Sequence, residues 1–129
     1  MFKRIDHVEI ITSNFEKTLA FYTNILGFKV GDSKPINKPP LLEVVYIKLG
    51  DTVIELISAD KPEARPKNFW HVGYCRIALE VEDMEKSIAY LKSKGVKITV
   101  PPANLGNSLR AEFEDPDGLS IELRQWFNK

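Results

Sequence analysis

The feature that most constrains this chain is an internal repeat. The segment FEKTLAFY at positions 15–22 recurs in related form as MEKSIAYL at positions 84–91. The tripeptide IEL at positions 54–56 also recurs at positions 121–123, at a slightly shorter offset. A duplicated unit of about half the chain predicts two similar modules, and the groove between such modules is a natural place for a binding site.

Composition limits the classes of protein to which the chain can belong. Its 129 residues suffice for one compact core, and 18 basic residues balance 18 acidic ones. Because phosphate binding favours a basic surplus, nucleic acid is not expected as the main partner. No apolar run is long enough for a membrane span, and the N-terminal segment lacks the apolar core of a signal peptide. We therefore expect a cytoplasmic protein, and the single cysteine, Cys75, fits a reducing compartment.

The first module is predicted to contain a strand, a helix and three further strands. Alternating apolar and polar residues predict a strand at 4–12, and Ser13 or Asn14 then caps a helix that Gly27 ends. The proline-rich segment 35–40 is predicted to be an exposed loop and a candidate flap. The remaining strands are expected near positions 28–32, 42–49 and 52–58.

The second module repeats this order. Asp83 is expected to cap a helix that Gly95 ends, and DPDG at 115–118 predicts a tight turn. The expected fold is α+β, with two βαβββ modules whose curved mixed sheets surround a concave cavity. One domain is thus predicted, with repeats at 1–60 and 73–126 joined by a linker at 61–72. The strands of the second module are expected near positions 74–81, 97–100, 109–113 and 119–124.

The repeat brings four ionisable residues to equivalent positions. His7 corresponds to Arg76 at the offset of the helical segments, and Glu55 corresponds to Glu122 at the offset of the IEL tripeptides. Since alternate residues of a strand face opposite sides, these four are predicted to lie on the sheet faces turned away from the helices. Their convergence is the best functional clue in the sequence.

A fifth candidate comes from extending the offset of the IEL tripeptides to the preceding strand. Val45 and Ile47 then align with Glu112 and Glu114, and Arg110 lies two positions before Glu112. If these positions face inward, Arg110 is a second arginine for binding an anionic ligand. The alternative is that Arg110 is a solvent-exposed charge on an edge strand.

Five segments, spread over nearly the whole length of the chain, carry a family resemblance: IDHVEI, LAFYTNILGF, DTVIELI, RIALEVEDMEKSIAYLKSKG and FEDPDGLSIEL. In this order they resemble the vicinal oxygen chelate superfamily, which includes glyoxalase I, the bleomycin resistance proteins and the extradiol dioxygenases. The resemblance implies the glyoxalase/bleomycin resistance fold and, for a small two-module member, a homodimer. It implies a small-molecule ligand as the main partner.

The resemblance also implies a metal site. Glyoxalase-like members hold a divalent ion through one residue from each of four equivalent strands, and three of these positions match His7, Glu55 and Glu122. The third position, usually histidine, is Arg76, whose guanidinium only donates hydrogen bonds and does not ligate metals. The implied cofactor is therefore Ni, Zn, Mn or Fe held by three residues, and Arg76 and Arg110 are the expected substrate-binding residues.

The activity implied by the resemblance is that of a lyase or isomerase of the glyoxalase I type. Its substrate would be a small oxygenated compound, such as a 2-keto compound or a hemithioacetal, which reacts through an enediolate. Glu122 is then the expected general base, and Glu55 is the expected permanent ligand or second base.

Two other interpretations are open at this point. In one, Arg76 replaces the metal between two carboxylates, and the chain is a metal-free small-molecule-binding or resistance protein. In the other, the four residues form a structural ion-pair cluster without a ligand. His71, shortly before Arg76 in the chain, is predicted to be a surface or linker-packing histidine and not a substitute ligand.

Overall fold

A computed structural model describes residues 1–67 and 70–128. The chain divides into two compact units, Met1–Arg65 and Pro66–Lys129. The predicted linker at 61–72 includes Asn68 and Phe69, which lie outside the described residues, and the module limits stay a prediction. Within the described part of the chain, no helix is long and apolar enough to cross a membrane.

The first unit has the expected order of one strand, one helical segment and three strands. Its sheet has the strand order β1-β4-β3-β2, in which β1 runs parallel to β4 and the other neighbours are antiparallel. The elements are β1 Val8–Thr12, α1 Phe15–Ala20, a π-helical turn Phe21–Ile25, β2 Lys29–Lys38, β3 Leu41–Leu49 and β4 Thr52–Ala59.

The second unit has the same topology. Its strand order is β5-β8-β7-β6, with β5 parallel to β8. The predicted α+β fold of two βαβββ modules is thereby confirmed. The elements are β5 Ile77–Glu80, α2 Met84–Ser93, β6 Ile98–Asn104, β7 Ser108–Glu114 and β8 Ser120–Trp126.

Both helices begin and end at residues suited to those positions. The Asn14 side chain accepts a hydrogen bond from the Lys17 amide at 3.1 Å, and the Asp83 side chain accepts one from the Lys86 amide at 3.0 Å. Gly27 and Gly95 follow the helical segments with φ of 86° and 79°, where a side chain would be strained. Of the two predicted caps for the first helix, Asn14 is the one used.

Each unit has its own apolar core between the sheet and the helix. In the first unit Tyr22, Ile47 and Leu56 have no exposed surface, and in the second Phe113 and Ile121 have none. Fully burying one such side chain stabilises a fold by about 1.5–3 kcal/mol. The opposite face of each sheet is therefore left for polar side chains.

The prediction of a loop at 35–40 was wrong. β2 continues to Lys38, and Pro35 lies opposite Glu43 of β3. β2 is an edge strand, where a proline is tolerated because its missing N–H would face solvent. The first strand is shorter than predicted, since it begins at Val8 and not at residue 4.

The alignment of Val45 and Ile47 with Glu112 and Glu114 was also wrong. Tyr46 lies opposite Glu55 in the first sheet, as Glu112 lies opposite Glu122 in the second, so Tyr46 is the true equivalent of Glu112. The offset between β3 and β7 is thus one position shorter than the offset between β4 and β8. A change of one position moves every side chain to the other face of a sheet. Val45 and Ile47 therefore lie in the core, only 2% and 0% exposed.

Candidate functional site

The polar face of the first sheet carries four side chains that could take part in binding or catalysis. His7 immediately precedes β1, Glu9 follows two positions later, and Glu9 lies directly opposite Glu55 in the parallel β1–β4 ladder. Tyr46 lies opposite Glu55 on the other side, in β3. Three neighbouring strands thus bring these residues together, and Glu55 is buried with 8% of its surface exposed.

The imidazole of His7 stands between the two carboxylates. Its Nε2 atom lies 3.4 Å from Oε2 of Glu9 and 3.6 Å from Oε2 of Glu55. One ligand atom from each of these three residues lies within 4.8 Å of the others. One imidazole nitrogen with two carboxylate oxygens is a donor set that suits Mn, Fe, Ni or Zn.

Asp6 fixes the other side of the imidazole. The Nδ1 atom of His7 lies 2.8 Å from Oδ2 of Asp6, and because a carboxylate only accepts, the proton of this hydrogen bond belongs to Nδ1. Nε2 then faces the oxygens of Glu9 and Glu55, and a second proton on the imidazole or a metal cation between the three atoms would stabilise this arrangement. The hydrogen bond to Asp6 is the main cause that raises the pKa of His7 and lowers the pKa of Asp6.

Tyr46 contacts His7 and Glu55, the two residues of this cluster that were predicted from the sequence. Its ring meets the His7 imidazole edge to face, with 5.6 Å between the ring centroids and 81° between the planes. A hydrogen bond with the Glu55 carboxylate is the main cause that raises the pKa of Tyr46. The phenol therefore stays protonated and donates to Glu55, which helps to hold that carboxylate beside His7.

The polar face of the second sheet carries arginines instead of a histidine. Arg76 immediately precedes β5, and its Nε donates a hydrogen bond to Oγ of Ser120 at 3.2 Å. A terminal nitrogen of Arg76 lies 3.5 Å from Oε1 of Glu112, and Ser120 also donates to this carboxylate at 2.9 Å. Arg76 thus pairs with a carboxylate of β7.

Glu122 is held by two further arginines. Nε of Arg110 donates to its Oε1 at 2.8 Å, and Nε and Nη2 of Arg124 approach its Oε2 at 3.1 and 2.9 Å. Arg110 also donates to Glu112, so it links the two carboxylates. Burial tends to raise the pKa of Glu112, but hydrogen bonds from Arg110 and Ser120 outweigh this effect and hold its pKa below its usual 4.5.

The predicted site residues therefore fall into two clusters. His7 and Glu55 lie together in the first unit, whereas Arg76, Arg110 and Glu122 lie together in the second. The metal set of His7, Glu55 and Glu122 draws on both units and stays a prediction. The expected alternative of an exposed Arg110 is wrong, since its side chain is only 21% exposed. His71 is exposed, as predicted.

Several participants were absent from the predicted site. The spacing of two positions places Glu9 on the face of His7 and Arg124 on the face of Glu122, so period-two alternation was the available signal. Tyr46 required the correct β3 register. Asp6 acts on His7 from the adjacent position in the chain, which no strand pattern predicts.

Comparisons with known proteins agree with this arrangement of strands. The family model of the Glyoxalase/Bleomycin resistance protein/Dioxygenase superfamily matches residues 4–123. A probable lactoylglutathione lyase of Synechocystis is 34% identical, with 95% of each chain covered. The mitochondrial methylmalonyl-CoA epimerase of Bos taurus is 30% identical over 95% of this chain and 74% of its own.

A solved structure gives the same result. The glyoxalase family protein from Enterococcus faecalis is 33% identical and superposes with a TM-score of 0.85, covering 95% of this chain and 98% of its own. The family match spans both units and all eight strands except the end of β8. The chain belongs to the Glyoxalase/Bleomycin resistance protein/Dioxygenase superfamily.

Proposed function

We propose that the protein is a divalent-metal-dependent lyase or isomerase that acts on a small oxygenated substrate with an anionic group. The observation that carries this proposal is the position of His7 Nε2, 3.4 and 3.6 Å from two carboxylate oxygens. Relatives named as a lyase and as an epimerase support the reaction class. A 2-keto compound or a hemithioacetal is the substrate type to be tested first.

The residues present fit a divalent ion. His7 and Glu55 would hold it, with Glu122 as the third residue that the family pattern suggests. When bound, the ion supplies Lewis acidity, which polarises a carbonyl oxygen and acidifies the neighbouring carbon. The donor set admits Ni, Zn, Mn and Fe and does not select among them.

The side chains around this site have separate proposed roles in orienting the ligands and in transferring a proton. Asp6 holds the His7 ring so that Nε2 faces the carboxylates, and the Tyr46 hydroxyl donates to Glu55. Glu55 and Glu122 are the proposed residues that remove and return a proton at the carbon next to the carbonyl. Glu55 suits this role because it is buried beside the imidazole.

Arg76 and Arg110 are the proposed binding residues for the anionic group of the substrate. Together with Arg124 they provide three guanidinium groups against the carboxylates of Glu112 and Glu122, so this cluster carries one net positive charge. A guanidinium binds a carboxylate or phosphate through two parallel hydrogen bonds. The surplus charge therefore favours an anionic ligand.

A second candidate function is metal-free binding of a small molecule. It is favoured by the second unit, where arginines already neutralise both carboxylates without an ion. In this case an anionic ligand should bind equally well in the presence and absence of a chelator. The first candidate predicts that EDTA abolishes the reaction.

We also propose that the protein is a cytoplasmic homodimer. Large apolar side chains are exposed at Phe2 and Ile5 in the first unit and at Trp70, Val72 and Tyr74 in the second. Exposed apolar groups indicate a protein–protein contact where they form a contiguous patch, and Trp70, Val72 and Tyr74 lie close together in the chain. Light scattering at several concentrations should give twice the chain mass of 14.7 kDa.

The reaction can be tested without knowledge of the natural substrate. Metal-free protein is reloaded with each of Ni, Zn, Mn and Fe(II) and incubated with 2-keto compounds and hemithioacetals in deuterium oxide. Exchange of deuterium into the carbon next to the carbonyl, followed by NMR, is expected with the native protein and not with Glu55→Gln. Exchange that persists in Glu55→Gln, or that requires no metal, contradicts the proposal.

A further inference from the structure

We propose that Glu9, and not Glu122, supplies the third metal-binding side chain. The site would then consist of His7, Glu9 and Glu55 and lie wholly within the first unit. This inference rests on the proposed function, because it concerns the same ion. It departs from the family pattern, in which the second carboxylate comes from the last strand.

The geometry of β1 and β4 supports Glu9. The two glutamates are direct partners in the parallel ladder, and Oε2 of Glu9 is closer to His7 Nε2 than is Oε2 of Glu55, at 3.4 against 3.6 Å. Like charges placed directly opposite on neighbouring strands destabilise a sheet. A divalent cation between them removes that repulsion and satisfies Nε2 at the same time.

The surroundings of Glu122 argue against the same role for it. An ionised carboxylate has about four lone-pair sites. Three N–H groups of Arg110 and Arg124 approach the oxygens of Glu122 within 3.1 Å. A metal ion placed on this carboxylate would stand beside two guanidinium cations, and their repulsion would weaken its binding.

The repeat provides an internal comparison for Glu9. The residue equivalent to Glu9 is Ala78, which lies opposite Glu122 as Glu9 lies opposite Glu55. The second unit has thus no carboxylate at this position and pairs Glu122 with arginines. The first unit has a carboxylate at this position and a histidine beside it, which is the composition expected for a cation site.

The test is calorimetric titration of metal-free full-length protein with Zn²⁺ and with Mn²⁺. The variants are Glu9→Gln and Glu122→Gln, and Glu16→Gln, at an exposed position of α1, is the matched control. We expect Glu9→Gln to weaken binding by at least about 10-fold, and the other two variants to bind like the native protein. Glu9 is 59% exposed, so its substitution should leave the fold intact.

Since Glu122→Gln disturbs two arginines, circular dichroism must show that this variant is folded. The absorption spectrum of bound Co²⁺ in the native protein and in Glu9→Gln gives a second readout, which should differ between the two. Native affinity in Glu9→Gln together with an unchanged Co²⁺ spectrum overturns the inference but leaves the proposed function standing. Metal binding that depends on Glu9, without any deuterium exchange, overturns the proposed function but supports this inference. If the native protein binds no metal, both are overturned.

Discussion

The two units have different charged side chains at equivalent strand positions. In the first unit, the His7 imidazole lies beside the carboxylates of Glu9 and Glu55. In the second, Arg76 replaces the histidine, and the equivalent carboxylate, Glu122, is bound by Arg110 and Arg124. The equivalent carboxylates, Glu55 and Glu122, therefore have different charged neighbours in the two units.

This difference teaches that an equivalent position does not imply an equivalent role. A cation stabilises a buried carboxylate, and it is either an ion from solution or a side chain of the protein. The second unit has a built-in cation for each carboxylate, whereas the first unit relies on one histidine for two. We therefore expect added cations to bind to the first unit and added anions to bind to the second.

Of these substitutions, replacing His7 should have the largest effect on metal binding by the first unit. Glu or Asp partners alone would retain an ion poorly, so His7→Gln should weaken Zn²⁺ binding by more than about 100-fold, above the range for outer-shell partners. His71→Gln is the control, because His71 is the only other histidine and is exposed. Equal affinities of the two variants in calorimetry would show that the first unit does not provide the metal site.

Replacing Arg110 should destabilise the second unit. Arg110→Gln leaves Glu112 and Glu122 without the cation that they share, and we expect a loss of about 1–2 kcal/mol in the free energy of unfolding. Lys86→Gln, which breaks the exposed pair with Asp83 at 3.9 Å, should cost less than about 0.5 kcal/mol. Urea denaturation that gives both variants the same stability would show that the arginine cluster is not structural.

Replacing Asp6 should have a smaller effect on metal binding. Asp6→Asn weakens the acceptor that keeps the Nδ1 proton of His7 in place, so Nε2 is less well oriented. The expected loss in Zn²⁺ affinity is about 10-fold, which is typical of outer-shell partners. An unchanged affinity would mean that the hydrogen bond from His7 to Asp6 does not orient the ring for metal binding.

Replacing Arg76 by histidine tests whether the second unit can be converted. Arg76→His restores the residue that the family usually has at this position, but Arg110 and Arg124 still bind Glu122. We expect the stoichiometry and affinity of metal binding, measured by elemental analysis and calorimetry, to stay at native values. A gain of about 10-fold or more would show that residue 76 lies within reach of the ion.

A small effect is expected on acid stability. Glu112 has a lower pKa in the folded state than its usual 4.5, so the folded state binds fewer protons and gains stability above this pH. That gain is lost as the pH falls through the folded pKa. Between pH 4.5 and the end of the acid transition, Glu112→Gln should therefore show a Tm that varies less with pH than the native Tm. Parallel Tm profiles in calorimetric scans would contradict the pairing of Glu112.

Much of the fold was predictable because the repeat and the alternation of apolar residues are local signals. Period-two alternation placed His7 and Glu55 on a polar face, and the cap at Asp83 was read from the chain directly. The β3 register was not predictable, since the turn before β8 is longer than the turn before β4. Without that register, Tyr46 could not be assigned to the site.

The partners of Glu122 illustrate a second limit of the sequence. Which cation binds a carboxylate depends on side-chain reach across strands, and Arg110 and Arg124 are register partners only in the folded sheet. The sequence predicted Arg110 as a residue for an anionic ligand but did not reveal its bonds to Glu122. The pairing of β7 with β8 therefore determines which arginines bind Glu122.

The most direct test is a Zn²⁺ titration of the native protein followed by NMR of the imidazole and arginine Nε–H signals. The account predicts that the His7 signals shift and saturate at one equivalent, while the signals of His71, Arg110 and Arg124 do not move. Shifts of Arg110 and Arg124 in step with His7 would show that the ion recruits Glu122. That result would contradict the claim that the first unit alone provides the metal site.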